Sequence, residues 1–277
     1  MWDDSLAACR RMVEAQRELF ASNATIAGRT RYDGYGEGGD HTLVIDRQAE
    51  DIVFAELEGL HEAGSEFTAI SEERGVVTFG NAGEMRVVID PIDGSLNARR
   101  TIPAHSLSIA IAAGPAMADV EFAYVYDFGA GEEFTARRGG GALLDGSALE
   151  ARGPGHGLEI VGLEGAKPER MAPVLHELEG KAFRIRAVGS IAITLCWVAC
   201  GRLDGMLTGR ACRSVDAAAA QLVAREAGAL VEFPGFELSA APLDLEARYH
   251  LAGALDEEML ATLREAQTAA EPAPDPS

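Results

Sequence analysis

The sequence predicts a mixed fold in two parts, an α+β first half followed by an α/β second half. Three observations carry this expectation. Up to about residue 150, strand-like runs at His105 to Ala113, Val120 to Asp127 and Glu133 to Ala136 follow one another, and Asp145-Gly146 supplies a hairpin turn. Such a pattern predicts a largely antiparallel sheet flanked by helices. From about Gly155, candidate strands at Leu158 to Leu163, Phe183 to Val188, Asp204 to Thr208, Ala229 to Phe233 and His250 to Ala254 are separated by apolar helical stretches, notably Ser190 to Cys200 and Asp216 to Ala227. That alternation is the mark of mainly parallel winding. A length of 277 residues accommodates one large or two ordinary domains, either with a sizeable core. The boundaries are drawn at 1–152 and 153–270, and the proline-rich, acidic run 271–277 is expected to be a disordered tail.

Composition narrows the function classes. Hydrophobic residues make up 47% and charged residues 25%, as in a soluble globular protein, and no apolar run is long enough to span a bilayer. The amino terminus lacks the basic start of a signal peptide, so a cytoplasmic location is expected. A formal charge of −20 argues against nucleic acid and anionic membranes as partners and leaves small molecules. Cys9, Cys196, Cys200 and Cys212 show no zinc-type pairing, so reduced, buried thiols are expected.

Along the first half, Ser5 is placed as the cap of a helix whose apolar positions Leu6, Cys9, Val13, Leu19 and Phe20 run to about Ala21. The glycine-rich, acidic segment Tyr32 to Asp40 has the composition of a mobile flap. Thr42 to Ile45 follows as a short strand, with Asp46 as the N-cap of a second amphipathic helix reaching about Leu60. Thr68 to Ser71 predicts a strand ending on Glu72 and Glu73. Arg86 to Ile89 is β-branched and strand-like, and Pro91 is expected to stop it one residue after Asp90. Asp93 and Gly94 fall in the ensuing turn, and Gly94, Ser95 and Asn97 leave amides at a short helix start, a ready anion site.

Carboxylates beside an anion site repel the anion unless cations lie between them. Four acids stand at element ends: Glu72, Asp90, Asp93 and Asp216. If they converge, each pair at about 4 Å repels by roughly 4 kcal/mol at an effective dielectric of 20. No histidine or cysteine lies near these motifs, so an all-oxygen ligand set is expected, suited to Mg²⁺ or Mn²⁺ rather than zinc. Hard cations beside a phosphate-sized anion pocket suit metal-assisted hydrolysis of a phosphate ester.

The set Ser71-Glu72-Glu73, Asp90-Pro91-Ile92-Asp93-Gly94-Ser95-Leu96-Asn97 and Val215-Asp216-Ala217 resembles the inositol monophosphatase superfamily of metal-dependent, lithium-sensitive sugar phosphatases. Thr101 to Ile109, Arg138 to Ala142, Val188 to Ile191 and Arg225 to Ala229 extend the resemblance over nearly the whole chain. The overall look is that of the archaeal and bacterial branch acting on both inositol monophosphate and fructose 1,6-bisphosphate. The resemblance implies a layered αβαβα sugar-phosphatase fold, a homodimer and two or three Mg²⁺ per site, with Mn²⁺ as the alternative. It further implies that Glu72, Asp90 and the Ile92 carbonyl hold a first ion, and Asp90, Asp93 and Asp216 a second. Glu72 and Asp46 would serve a third, whose water Ser95 orients, while the amides of Gly94 and Ser95 cradle the phosphate. The substrate contacts on this reading are Gly94, Ser95, Arg210, Arg213 and Asp216.

Departures from the family pattern carry information. Val215 and Ala98 stand where Trp and Phe are common, and Ser71 where Gly is. Inositol-specific members place an acid shortly before the last motif, whereas this chain has Arg210 and Arg213, a basic rim that favours fructose 1,6-bisphosphate and its second phosphate. An ion pair with the acidic surface is the other reading of those arginines. Relatives that hydrolyse 3′-phosphoadenosine 5′-phosphate or histidinol phosphate share the metal motifs, and a non-catalytic homologue is the alternative outside the enzymes.

Overall fold

A computed structural model describes residues 2–269 except 31, 36–40, 82, 154, 156 and 166. The expected tail at 271–277 and residues 36–40 of the expected flap therefore lie outside the described residues.

Helix α1 spans Trp2–Ser22 and buries Ala8, Cys9, Met12, Val13 and Phe20, the spacing of a single helical face. It starts ahead of the expected cap: Ser5 is buried inside it, and Asp3 and Asp4 in the first turn face the positive helix end instead. The short α2, Ile26–Arg29, is capped by Thr25, whose hydroxyl accepts from the Gly28 amide at 3.1 Å. The first residues of the flap segment form a ribbon with the stretch that follows it, β1 (Tyr32–Tyr35) pairing antiparallel with β2 (His41–Leu43), so Tyr32 to Tyr35 is strand where loop was expected.

Helix α3, Val44–Glu62, follows at once and packs on α1. Asp46 lies in its first turn rather than capping it, since the helix begins two residues earlier. Val53, Phe54 and Leu57 bury their side chains against the sheet, each contributing on the order of 2 kcal/mol.

The large sheet, separate from the β1–β2 ribbon, is built from β3 (Phe67–Ser71), β4 (Gly75–Phe79), β5 (Arg86–Asp93), then, after the helical turn α4 (Ser95–Arg99), β6 (Ser106–Ala112), β7 (Val120–Asp127), β8 (Glu132–Arg137), β9 (Gly141–Leu144) and β10 (Ser147–Leu149). Its order is β10-β9-β8-β7-β6-β5-β3-β4, and every pairing is antiparallel except β3 with β5. The hairpin expected at Asp145-Gly146 joins β9 to β10. Strand β4 was not among the expected strands, although Val76, Val77, Thr78 and Phe79 are all strand-favouring residues.

Pro91 does not end β5. Asp90 faces Ser108 and Asp93 faces Ser106 on β6, so three steps on one strand oppose two on the other. This is a β-bulge, placed where proline has no amide to give the ladder. Residues three apart in a regular strand point to opposite faces; the extra residue brings Asp90 and Asp93 to the same one.

The second sheet takes β11 (Leu158–Glu164), β12 (Ala182–Arg186), β13 (Gly205–Thr208), β14 (Leu230–Glu232) and β15 (Ala252–Ala254) in the order β12-β11-β13-β15-β14. Strands β12, β11 and β13 are parallel, whereas β15 runs antiparallel to both its neighbours. Helices α5 (Pro168–Glu177), α6 (Ile191–Ala199), α7 (Ser214–Glu226) and α8 (Glu257–Thr268) accompany it. One apolar core joins the two sheets: Val88, Ala110, Val125 and Phe134 meet Leu195 of α6 and Val215, Ala217 to Ala220 and Val223 of α7. The alanines let α7 lie close to the large sheet, which carries its first turn to the end of β5. All four cysteines are free thiols, three of them buried.

Candidate active site

Three carboxylates from separate elements converge. Glu72 follows the last residue of β3, Asp90 precedes the β5 bulge, and Asp216 lies in the first turn of α7; ligand oxygens of the three lie within 4.8 Å of one another. Asp216 also accepts the Arg213 amide at 2.8 Å, closing the start of its own helix. A small, solvent-open pocket beside them is lined by Asp46, Glu72, Glu73, Asp90, Pro91, Ile92 and Ser95. The residues expected from sequence for the first cation and the water thus share one cavity.

Electrostatics mark the site as short of positive charge. Burial, then the charge of Glu72, Asp93 and Asp216, hold the Asp90 carboxyl well above the usual range. Burial and Asp216 push Asp93 up to about 7, and burial with Glu73 and Glu72 does the same for Asp46. Burial raises Asp216 as well. At an effective dielectric near 20, carboxylates about 5 Å apart repel by roughly 3 kcal/mol per pair. Asp46 Oδ1 is buried with no hydrogen-bond partner among the described residues, a position that costs free energy until a cation or donor fills it. An all-oxygen, multiply acidic set with an orphaned oxygen fits a hard divalent cation.

Asp93 sits behind this group. Its Oδ2 accepts from the Ser190 hydroxyl, from the Ala192 amide at 2.8 Å and, more loosely, from Ser106 Oγ at 3.4 Å. Gly94, at φ 89°, opens α4, and a Cβ there would come 2.9 Å from the Ala104 carbonyl oxygen and 3.0 Å from that of Gly189. Only glycine brings the chain this close at this φ. Ser95 is exposed at the first position of α4, beside the cavity. Asn97 points away from the opening, donating from Nδ2 to the Ala104 and Val188 carbonyls at 2.8 and 2.7 Å. Its side chain braces the loop, and the group expected to face an anion is instead its backbone amide at the third position of α4.

The two arginines separate. Arg213 is half-buried and its guanidinium donates to Glu72, so the ion-pair reading describes it in this structure. Arg210 is exposed on the segment between β13 and α7, next to Gly165.

Two buried glutamates were not singled out from sequence. Glu50, on the face of α3 one turn beyond Asp46, accepts from the Ser71 hydroxyl and from the Arg74 amide at 3.0 Å, and so brackets Glu72 and Glu73. Glu164 ends β11 and binds the turn at Val188 and Gly189. Burial pushes its carboxyl up to about 7 against the three hydrogen bonds it accepts. The available signal was an acid within an otherwise apolar strand or helix face, which composition does not distinguish from an exposed one.

Fold and acidic centre together define a phosphatase of the sugar-phosphatase class. The chain belongs to the inositol monophosphatase family, whose family model matches residues 4–269. A fructose-1,6-bisphosphatase/inositol-1-monophosphatase of Archaeoglobus fulgidus is 31% identical over 257 residues, 91% of this chain and 93% of that protein. A Nus factor SuhB of Vibrio cholerae is 32% identical over 204 residues, 71% of this chain and 73% of that one. The crystal structure of the MJ0109 gene product, an inositol monophosphatase-fructose 1,6-bisphosphatase, superposes with a TM-score of 0.77 at 26% identity, covering 96% of this chain and 99% of the other.

Proposed function

We propose that the protein is a Mg²⁺-dependent phosphomonoesterase acting on a small sugar or polyol phosphate, inositol 1-phosphate or fructose 1,6-bisphosphate. The observation that carries this is the meeting of Glu72, Asp90 and Asp216 within 4.8 Å, beside the cavity that Ser95 shares. Glu72, Asp90, Asp93, Asp216 and the Ile92 carbonyl would hold the cations. When bound, such ions neutralise the carboxylates, acidify water and stabilise charge on the departing alkoxide oxygen. The chain's own groups do the rest. The Gly94 and Ser95 amides receive the phosphate at the start of α4, and Asp46 and Ser95 orient the attacking water within the cavity. The exposed Arg210 and, once released from Glu72, Arg213 face the rest of the substrate and favour a second phosphate.

Hydrolysis of 3′-phosphoadenosine 5′-phosphate or histidinol phosphate is the neighbouring alternative within this class. Two relatives bear the name of a Nus factor, but a net charge of −20 disfavours a partner made of phosphate backbone. The same reading places the enzyme in the cytoplasm as a homodimer; among the described residues no helix is long and apolar enough to cross a membrane. Phosphate release from a panel of these four esters, with Mg²⁺ and with EDTA, tests the reading. Turnover that persists in EDTA, or no release from any ester, overturns it.

A further inference from the structure

Glu164 is only 2% exposed and has no part in the chemistry assigned above. Its Oε1 accepts the Val188 amide at 3.0 Å and lies 2.7 Å from Thr194 Oγ1, while Oε2 accepts the Gly189 amide at 2.9 Å. One carboxylate therefore takes consecutive amides of a single turn. From the other side, Asn97 Nδ2 holds the Val188 carbonyl at 2.7 Å. Gly189 has φ 87°, and a Cβ there would come 2.7 Å from Asn97 Nδ2, so the turn has little room to move. The next residue, Ser190, caps α6 and donates to Asp93, joined by the Ala192 amide from the first turn of the same helix.

We infer that Glu164 is a positioning residue for the acidic centre. By holding the Val188–Gly189 turn it determines where Ser190 and Ala192 meet Asp93, and through Asp93 the affinity of the centre for its divalent cation. The inference rests on the metal reading above. The physical reason is directional: a carboxylate presents an acceptor to each of two adjacent amides, which fixes the turn in two directions at once. Glutamine has the same shape but one acceptor oxygen, so its NH₂ group confronts one of the two amides and the turn must shift. Groups that support a metal ligand in this indirect way typically change metal affinity by 10- to 100-fold when altered. A glutamate that served only to fill the core would change stability and leave cation affinity alone.

The test is calorimetric titration of Mn²⁺ into the full-length wild type, Glu164→Gln, Ser190→Ala and the double variant, at a temperature where circular dichroism shows each folded. The expected result is about tenfold or greater weakening in each single variant, and a double variant weaker by less than the product because both act on Asp93. Raising Mg²⁺ should restore much of the phosphatase activity of Glu164→Gln. Thr194→Val, which keeps the volume and removes the hydroxyl that lies 2.7 Å from both Glu164 Oε1 and the Ser190 carbonyl, gives a second reading should the glutamine variant fail to fold; it should weaken Mn²⁺ severalfold. Wild type that binds Mn²⁺ alongside a folded Glu164→Gln or Thr194→Val within twofold of it overturns the role of Glu164 alone. Wild type that binds no Mn²⁺ overturns the metal reading, and this inference with it.

Discussion

The guanidinium of Arg213 donates to Glu72, so a cation from the start of α7 is seated against an acid at the end of β3. That pair spans the two halves of the molecule and places positive charge beside the carboxylate cluster. A divalent cation entering the site must share Glu72 with it or displace it.

Replacing Arg213 with Met should therefore separate stability from metal response. Without metal, Glu72 loses its compensating charge, and a half-exposed pair of this kind contributes about 1 kcal/mol. In a chain of this size that corresponds to a fall in Tm of roughly 2–4 °C in EDTA. Adding Mg²⁺ should raise Tm further in the variant than in wild type, because no guanidinium competes. Scanning fluorimetry in both conditions checks it, and equal Mg²⁺ increments would refute the competition.

Asp90→Asn should remove activity by a factor of ~10³ or more while leaving metal-free stability undiminished. Asp90 is buried among Glu72, Asp93 and Asp216, which disfavour its charge, so a neutral residue of the same shape relieves repulsion when no cation is present. Steady-state kinetics with a urea titration in EDTA examine both halves of the statement. Near-normal turnover would mean that Asp90 holds no essential ion.

Gly94→Ala is expected to cost about 1–3 kcal/mol and most of the activity. The backbone there has φ 89°, and the new methyl would meet the Ala104 and Gly189 carbonyl oxygens at 2.9 and 3.0 Å. Both the start of α4 and the Val188–Gly189 turn must then move. A variant with wild-type stability and turnover would show that this approach is not needed.

His105 should give the fold a dependence on acid. Burial lowers its pKa from 6.5 to about 4, and the ring stacks on Phe128 and meets the edge of Phe20, with Nε2 unpartnered among the described residues. Between those values the unfolded chain binds a proton that the folded one refuses. Stability from this residue is complete above about pH 6.5 and is lost as pH falls toward 4, by up to roughly 3 kcal/mol. Glu164 works in the other direction: its folded pKa of about 7 makes its contribution full at low pH and lost as pH rises from 4.5 to 7. The clean observable is the difference between wild type and His105→Phe, measured by denaturant unfolding across pH 4–7. That difference should shift toward wild type as pH rises; a flat difference would place the histidine in contact with water.

Much of this site was legible because its residues follow local rules. Strands announced by β-branched runs ended near acids, Gly94 marked a backbone position that needs positive φ, and alanines after Asp216 marked a helix able to approach a sheet closely. The places where reading failed are those where the outcome depended on a partner strand or a distant acid. Pro91 looked like a stop because proline gives no amide, yet the neighbouring β6 accommodates it as a bulge. Ser5 and Asp46 looked like caps because of residue type, while the actual helix starts lie earlier.

By itself, then, the amino-acid sequence determined the chemical inventory: an oxygen-only set of acids at element ends, a glycine turn with amides beside it, and a two-part pattern of strands and helices. Those are properties of residue type and spacing along the chain. Tertiary structure alone decided that Asp90 and Asp93 share a face, that Asp216 meets Glu72 and Asp90 from more than a hundred residues further along the chain, and that Arg213 and Glu164 bear on them. The reason is physical: register, helix docking and burial are set by contacts between remote segments, and a side chain's charge acquires its consequence only from what surrounds it.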